Sequence, residues 1–199
     1  ALQQQLPRRG VEQVAAAHAQ LLSAWQGVDL VLVVAGAYAE MRADQLDMKV
    51  VDRILDVNLR GVFHCLEAVL PTLLAQGHGG VGIVSSVAGL SGLPKALVYG
   101  PTKAALINLC ESLYFDLSPQ GIGVYLINPG FVETPATASN TFAMPGLISA
   151  EEAAGKILSG IERGSFHIHF PKRFTNWLRF ARLLPYRWYF SLIHKVTGL

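Results

Sequence analysis

The stretch VGIVSSVAGLSGLPKALVYGPTK, residues 81–103, decides the fold class of this chain. It opens on the apolar run VGIV, which is typical of a buried parallel strand, and closes on the tyrosine and lysine of a Y-x-x-x-K pattern. Gly89 and Gly92, which lie between the apolar run and the tyrosine, indicate a loop. Because open α/β sheets bind ligands beyond the carboxyl ends of their strands, Ser86, Tyr99 and Lys103 are candidate site residues.

The Y-x-x-x-K pattern alone has an ordinary explanation. Tyr99 and Lys103 stand at i and i+4, and such residues are often solvated neighbours on a helix. The surrounding sequence favours a functional role instead. Asn58 lies in an amphipathic segment upstream, and Asn-Pro-Gly at 128–130 follows another apolar run, GVYLI.

Together these elements resemble the short-chain dehydrogenase/reductase family over about residues 28–170. The family's catalytic Asn, Ser, Tyr and Lys correspond in order to Asn58, Ser86, Tyr99 and Lys103. Its P-G-x-x-x-T nicotinamide segment corresponds to 129–134. The resemblance therefore assigns cofactor binding to Ala35, Gly36, Tyr99, Lys103, Pro129, Gly130, Val132 and Thr134.

Two departures from the family pattern have structural meaning. The family's N-N-A-G is Val-Val-Ala-Gly at 33–36, which keeps the tight backbone and loses asparagines that brace the sheet. We expect weaker bracing rather than lost chemistry. The Gly-rich turn T-G-x-x-x-G-x-G, which opens the family fold and cradles the pyrophosphate at a helix N-terminus, is absent from these 199 residues.

The family's first strands are therefore expected to be missing from this chain. The first convincing strand, 28–36, matches the family's fourth, so roughly sixty residues are unaccounted for at about thirty per βαβ unit. VEQVA at 11–15 reads as a third strand and AHAQLLSAW at 17–25 as a helix. On that basis we favour the omission of poorly ordered segments over truncation or degradation.

The remaining patterns predict a doubly wound, Rossmann-like parallel sheet in a single α/β domain over 1–170, followed by a basic, aromatic helical tail over 171–199. Strands are expected at 30–34, 81–84 and 124–127, with a final one at SFHIHFP. Helices are expected at 48–74 and 99–117. Another should open on a capping box at Ser149 and end before Gly164, and Pro185 should divide the tail into two helices.

Composition agrees with a cytoplasmic enzyme of one domain. Apolar residues make up 51% of the chain and charged residues 15%, and a net charge of +2 gives no reason to invoke nucleic acid. Cys65 and Cys110 lie in predicted helices and are expected to be free thiols. No apolar run approaches the ~20 residues that a membrane span needs.

The resemblance implies an oxidoreductase that uses NAD or NADP on a small carbonyl or alcohol substrate. Tyr99 would give a proton to the carbonyl oxygen, which Ser86 holds, while the Lys103 ammonium lowers the phenol's pKa from its usual value of about 10. Asn58 would hold a water that links the lysine to solvent, and Thr134 would fix the carboxamide. Neither the substrate nor the choice between NAD and NADP can be read from these residues.

Other features leave alternatives open. His167 and His169 share one strand face, but exposed histidines are a better explanation than a metal site. The aromatic, basic tail fits a lid or a subunit contact, and less well a membrane contact. Apolar surface on 48–74 and 99–117 predicts a homodimer or homotetramer. The competing function is a non-catalytic scaffold that binds a ligand or partner, including a scaffold that associates with a membrane through its tail.

The intact mass of the purified protein separates the enzyme from the scaffold. We expect a mass well above 21.5 kDa, because a Gly-rich turn outside these residues would complete the nucleotide cradle. A measured mass of 21.5 kDa would favour the scaffold.

Overall fold

A computed structural model of the chain describes residues 5–135, 137 and 144–198. Four parallel strands form one sheet in the order β1-β2-β3-β4. The apolar sequences of the two central strands are explained by burial on both faces, and Val81, Ile83 and Ile127 are fully buried. The strands are β1 Leu30–Val33, β2 Gly80–Val84, β3 Gly123–Pro129 and β4 His167–Phe170.

Helices cover the sheet on both faces, which confirms the predicted doubly wound fold. One face holds the larger core, where side chains of 62–73 and 106–117 meet the strands. The other face holds a smaller core between β3, β4 and the helix that follows Ser149. The helices are α1 Gln5–Trp25, α2 Met48–Leu55, α3 Gly61–Gln76, α4 Tyr99–Leu117, α5 Ala150–Glu162, α6 Lys172–Ala181 and α7 Tyr186–Thr197.

The predicted third strand at 11–15 is wrong, because α1 is one continuous helix across it. The half-buried positions Val11, Val14, His18 and Leu22 repeat at helical spacing and define the face that packs on α3. The two valines stand three residues apart, a spacing that fits the helical period and not the alternation of a strand. The prediction that segments are missing between residues 15 and 17 rested on this strand, and it loses that support.

The helix predicted over 48–74 is present, with one interruption. Between α2 and α3 the chain makes a single π-helical turn, Asp56–Arg60, whose buried residue is Asn58. Such bulges occur often at functional sites, because the extra residue reorients a side chain. The interruption therefore coincides with the burial of Asn58.

The other predicted boundaries agree closely with the structure. The Ser149 hydroxyl accepts a hydrogen bond from the Glu152 N–H at 3.1 Å, which caps α5 as expected. The final strand is β4, and Pro185 separates α6 from α7. Cys65 and Cys110 are both free thiols.

The tail packs on the domain through a few buried residues. Leu178 of α6 joins the larger core, while Ala181, Tyr189 and Ile193 form a small separate core against Leu93. Within the described ranges, no helix is both long and apolar enough to cross a bilayer.

The apolar helix faces on which the dimer prediction rested are mostly internal. The residues Val62, Leu66, Val69, Leu106 and Leu113 are buried in the chain's own core. They are covered because the side chains of α3 and α4 meet the sheet in one core, and because α1 packs along α3. Two phenylalanines on the outer sides of these helices, Phe63 and Phe115, remain exposed, at 54% and 77%.

We still predict a homodimer built on α3 and α4, with its apolar contact confined to these two phenylalanines and their surroundings. Phe63→Ser with Phe115→Ser should then give a monomer mass by light scattering, because the change removes the exposed apolar area. Leu158→Ser, at an exposed leucine of α5, is the matched control and should remain a dimer. A monomeric parent protein would contradict the prediction.

Candidate active site

The site forms where β1, β2 and β3 end side by side. The Ser85 N–H continues the ladder beyond β2 by donating to the Ile127 carbonyl at 2.8 Å. Ser86, the next residue, then turns out of the sheet in an extended conformation. The last rung of the sheet thus fixes the point from which Ser86 projects.

Ser86 begins a short 3₁₀ turn, Val87–Gly89, and its hydroxyl accepts a hydrogen bond from the Ala88 N–H at 3.1 Å. The Ser86 side chain also lies near enough to the Tyr99 phenol to lower its pKa. The sequence predicted that Ser86 and Tyr99 act together on the carbonyl oxygen of a substrate. The structure brings them together across the loop of 87–98.

Lys103 lies one helical turn beyond Tyr99 and is only 3% exposed. Its Nζ donates to the Val84 carbonyl at 2.9 Å and lies 5.7 Å from the centroid of the Tyr99 ring. Burial lowers the pKa of Lys103 from 10.5 to about 8. The ammonium is thus held between the end of β2 and the phenol.

Asn58 is fully buried and hydrogen-bonded through its whole amide. Its Oδ1 accepts from the Ala37 N–H at 2.7 Å, while its Nδ2 donates to the Ala37 carbonyl at 3.0 Å and the Thr102 hydroxyl at 3.1 Å. The Thr102 hydroxyl donates in turn to the Tyr99 carbonyl at 2.8 Å. Asn58 therefore connects the chain after β1 to the first turn of α4.

Gly36 lies beside this group. A Cβ placed on Gly36 would stand 3.5 Å from the Lys103 Nζ and 3.8 Å from the Asn58 Oδ1. Both Ala35 and Gly36 are exposed. The missing side chain leaves the approach to the ammonium open from the end of β1.

The pKa of Tyr99 is raised, whereas the sequence predicted that Lys103 would lower it. Burial raises that pKa above its ordinary value of 10.0, and the nearby Ser86 side chain offsets this only in part. The reason is that Tyr99 sits under Tyr38, whose ring meets it edge to face at 5.0 Å. The expected lowering by Lys103 does not dominate in this environment.

The segment after β3 lies next to the end of β4. The Gly130 N–H donates to the Phe170 carbonyl at 2.7 Å, and Val132 pairs with Ile148. The Thr134 N–H is bonded to the Thr137 hydroxyl at 3.0 Å. We expect the segment 135–148, which follows these residues, to contribute to a substrate pocket, and part of it (136 and 138–143) lies outside the described residues.

Comparison with known proteins decides the family. The family model for short chain dehydrogenases matches residues 6–144, more than half of the chain. The chain belongs to the short-chain dehydrogenase family. Its likeness to the family thus extends upstream of residue 28, across α1.

Relatives and solved structures agree with this assignment. An uncharacterized oxidoreductase of Myxococcus xanthus is 38% identical over 159 residues, which cover 80% of this chain and 63% of the relative. One from Staphylococcus epidermidis is 32% identical, over 69% of this chain and 60% of the relative. The chain thus spans about 60% of the length of these two relatives.

Two solved short-chain dehydrogenases share the fold. One from Burkholderia cenocepacia, in complex with NADP, superposes with a TM-score of 0.79 at 22% identity, over 92% of this chain and 74% of the other. One from Streptomyces avermitilis gives 0.77 at 22%, over 94% and 76%.

Sequence reasoning missed three residues that position the candidate site. The Ser85 hydroxyl donates to the Lys103 carbonyl at 2.7 Å, Thr102 links Asn58 to Tyr99, and Tyr38 covers the Tyr99 ring. Their only signal was proximity: Ser85 precedes Ser86 and Thr102 precedes Lys103. Nothing local marked Tyr38, because its contact spans sixty residues of sequence.

The expectation of exposed strand histidines is also corrected. His169 is buried, its Nδ1 within 2.7 Å of the Thr175 hydroxyl, and its Nε2 accepts from Lys172 and Arg179 at 3.1 Å each. Burial and these cations lower the pKa of both His167 and His169 to about 4. Among the described residues, no group of three or more potential ligands could hold a metal ion.

The close approach of the 3₁₀ turn to α4 gives a direct test of the site's architecture. A Cβ on Gly89 would lie 2.5 Å from the backbone carbon of Lys103, so Gly89→Ala must push the turn away from α4. We expect a loss of about 1–3 kcal/mol in the free energy of unfolding, measured with urea. Gly92→Ala is the matched control, because nothing lies within 4 Å of its added Cβ. Equal stability of the two variants would show that the contact is not tight.

Proposed function

We propose that the protein is an NAD(P)-dependent oxidoreductase that transfers a hydride between a nicotinamide and a small carbonyl or alcohol substrate, with Tyr99 as the acid and base. The observation that carries the proposal is the proximity of Ser86, the Tyr99 phenol and the buried Lys103 ammonium beyond the strand ends. Family membership and the oxidoreductase names of the relatives support it.

The raised pKa of Tyr99 favours the reducing direction. A phenol that stays protonated at neutral pH can give its proton to a carbonyl oxygen as negative charge grows there. Ser86 would hold the same oxygen through a second hydrogen bond. The reverse reaction would need Tyr99 as a base and would therefore gain from higher pH.

Lys103 would stabilise the phenolate that remains once the proton has left. Its Nζ lies 5.7 Å from the centroid of the Tyr99 ring. Because Lys103 is buried, the low local dielectric strengthens the attraction between the ammonium and the phenolate. With a pKa of about 8, the lysine is mainly charged at neutral pH and neutral well above that. Reduction therefore requires both Tyr99 and Lys103 in their protonated forms.

The residues present fit the nicotinamide half of NAD or NADP. Among the described groups, the Lys103 ammonium uses one of its three donors, on Val84, and the bare Gly36 leaves it approachable. Lys103 and Tyr99 would hold the ribose, while the segment 129–134 would hold the carboxamide through Thr134. The cofactor would supply or take the hydride. Several solved relatives of the fold were determined with NADP.

Replacing the acid tests the proposal. In the complete protein, Tyr99→Phe should lower kcat for NAD(P)H-dependent carbonyl reduction by roughly 10²–10⁴-fold, because the proton donor is removed. Cofactor binding, followed by fluorescence, should change little. Tyr38→Phe is the matched control, since it removes a neighbouring hydroxyl while keeping the ring contact. Full turnover by Tyr99→Phe would exclude Tyr99 as the acid, and cofactor binding without turnover in the parent would favour the scaffold.

The pH profile tests the role of Lys103. Its pKa of about 8 means that the ammonium is lost as pH rises through that value, so kcat/KM for reduction should fall by up to about tenfold per pH unit above it. Lys103→Arg keeps the charge, and its profile should stay flat to higher pH if circular dichroism shows a native fold. A parent profile that rises between pH 8 and 10 would contradict this assignment.

A further inference from the structure

The carboxyl-terminal part of the chain has a charge distribution unlike the rest. Residues 163–199 contain seven Lys or Arg and no Asp or Glu. The preceding 162 residues carry nine basic and fourteen acidic residues, so the two parts have opposite net charge. A purely basic segment of this kind is attracted to an anionic surface.

Large apolar side chains are exposed in the same segment, around the turn that joins α6 to α7. We call this group the turn patch, and its members are Phe180 at 65% exposure, Leu183 at 79%, Tyr186 at 77% and Phe190 at 54%. Tyr186 and Phe190 stack on each other with centroids 5.7 Å apart. Arg182 and Arg187 lie among them and are also exposed.

The turn patch does not contribute to the chain's own core. The inward side of α7 is occupied by Tyr189 and Ile193, which pack on Ala181 and Leu93. The Tyr189 hydroxyl also donates to the Gly92 carbonyl at 2.7 Å, which fixes the orientation of α7. The patch is therefore held outward by a defined contact and is presented to solvent.

We propose that the turn patch docks on an anionic lipid bilayer, with its apolar side chains in the headgroup region and Arg182 and Arg187 on lipid phosphates. Aromatic and leucine side chains interleaved with basic residues suit this interface. The sequence analysis ranked a lid or a subunit contact first. The outward orientation of the patch disfavours a lid.

Charge separates the bilayer from other occupants. A second copy meeting the patch with its own patch would bring two wholly basic surfaces together, which costs free energy. A nucleic acid would use the arginines but would leave Leu183 and Phe180 without apolar contact. Anionic lipid satisfies both the charge and the apolar area.

Vesicle co-sedimentation tests the proposal on the complete protein. The probes are vesicles of phosphatidylcholine alone and vesicles that also contain phosphatidylglycerol, at millimolar lipid. We expect the protein to pellet with the anionic vesicles and much less with the neutral ones, and to be released at high salt. No pelleting, or equal pelleting with both compositions, would overturn the proposal.

Paired variants locate the contact. Arg182→Gln with Arg187→Gln should weaken partitioning by roughly 30-fold, because each basic residue near an anionic surface contributes about fivefold. Leu183→Ser should also weaken it by several-fold. The controls are Lys49→Gln with Arg53→Gln on α2, and Leu158→Ser on α5; both should bind as the parent does.

Two outcomes would overturn the assignment even if the protein binds something. If the control variants lose as much vesicle binding as the patch variants, the contact lies elsewhere. If Leu183→Ser halves the mass in light scattering while the parent ignores vesicles, the patch is a contact between copies. Neither readout uses enzymatic turnover, so failure here leaves the proposed function untouched.

Discussion

The geometry of the site depends on how tightly the chain after β2 is pressed against the first turns of α4. The Ser85 hydroxyl reaches the Lys103 carbonyl at 2.7 Å, and the backbone at Gly89 lies where a Cβ would meet the backbone of Lys103. Because Tyr99 and Lys103 stand on those same turns, this contact sets their positions relative to Ser86. Asn58 adds a second constraint by tying α4 to the chain after β1 through Thr102.

The same packing imposes a cost on the fold. The pKa of Lys103 falls from 10.5 to about 8, which corresponds to roughly 3 kcal/mol against the charged form at neutral pH. Since the unfolded chain binds this proton more tightly, the site destabilises the fold below pH 8, and stability rises between pH 8 and 10.5. The Val84 carbonyl compensates only in part. The buried charge of Lys103 is therefore not explained by a gain in stability.

Local patterns in the sequence were enough to predict much of the framework. The apolar runs predicted β2 and β3, the Ser149 cap predicted α5, and the spacing of Tyr99 and Lys103 placed them on one helical turn. These features depend on neighbours within a few residues. The π-helical turn at Asn58 had no such local signature.

The predictions that were wrong share a different physical origin, because each depends on a contact between residues that are distant in the sequence. His169 is buried because α6 folds back over it, and the pKa of Tyr99 is raised because burial, including the contact with Tyr38, outweighs its favourable interactions. The apolar face of α3 is internal because it meets the sheet in the larger core and because α1 packs along α3. A single sequence shows the spacing of apolar residues on one face of a helix or strand, but it does not show which element packs on that face.

The tail is part of this site's framework rather than an appendage. Phe174 of α6 stacks on Phe131 with centroids 5.6 Å apart, beside the segment that follows β3. Tyr189 of α7 holds Gly92 in the loop between Ser86 and Tyr99. The tail thus contacts both loops that flank the site. A displacement of the tail would therefore reach the site first through these two loops, because they connect it to the strand ends.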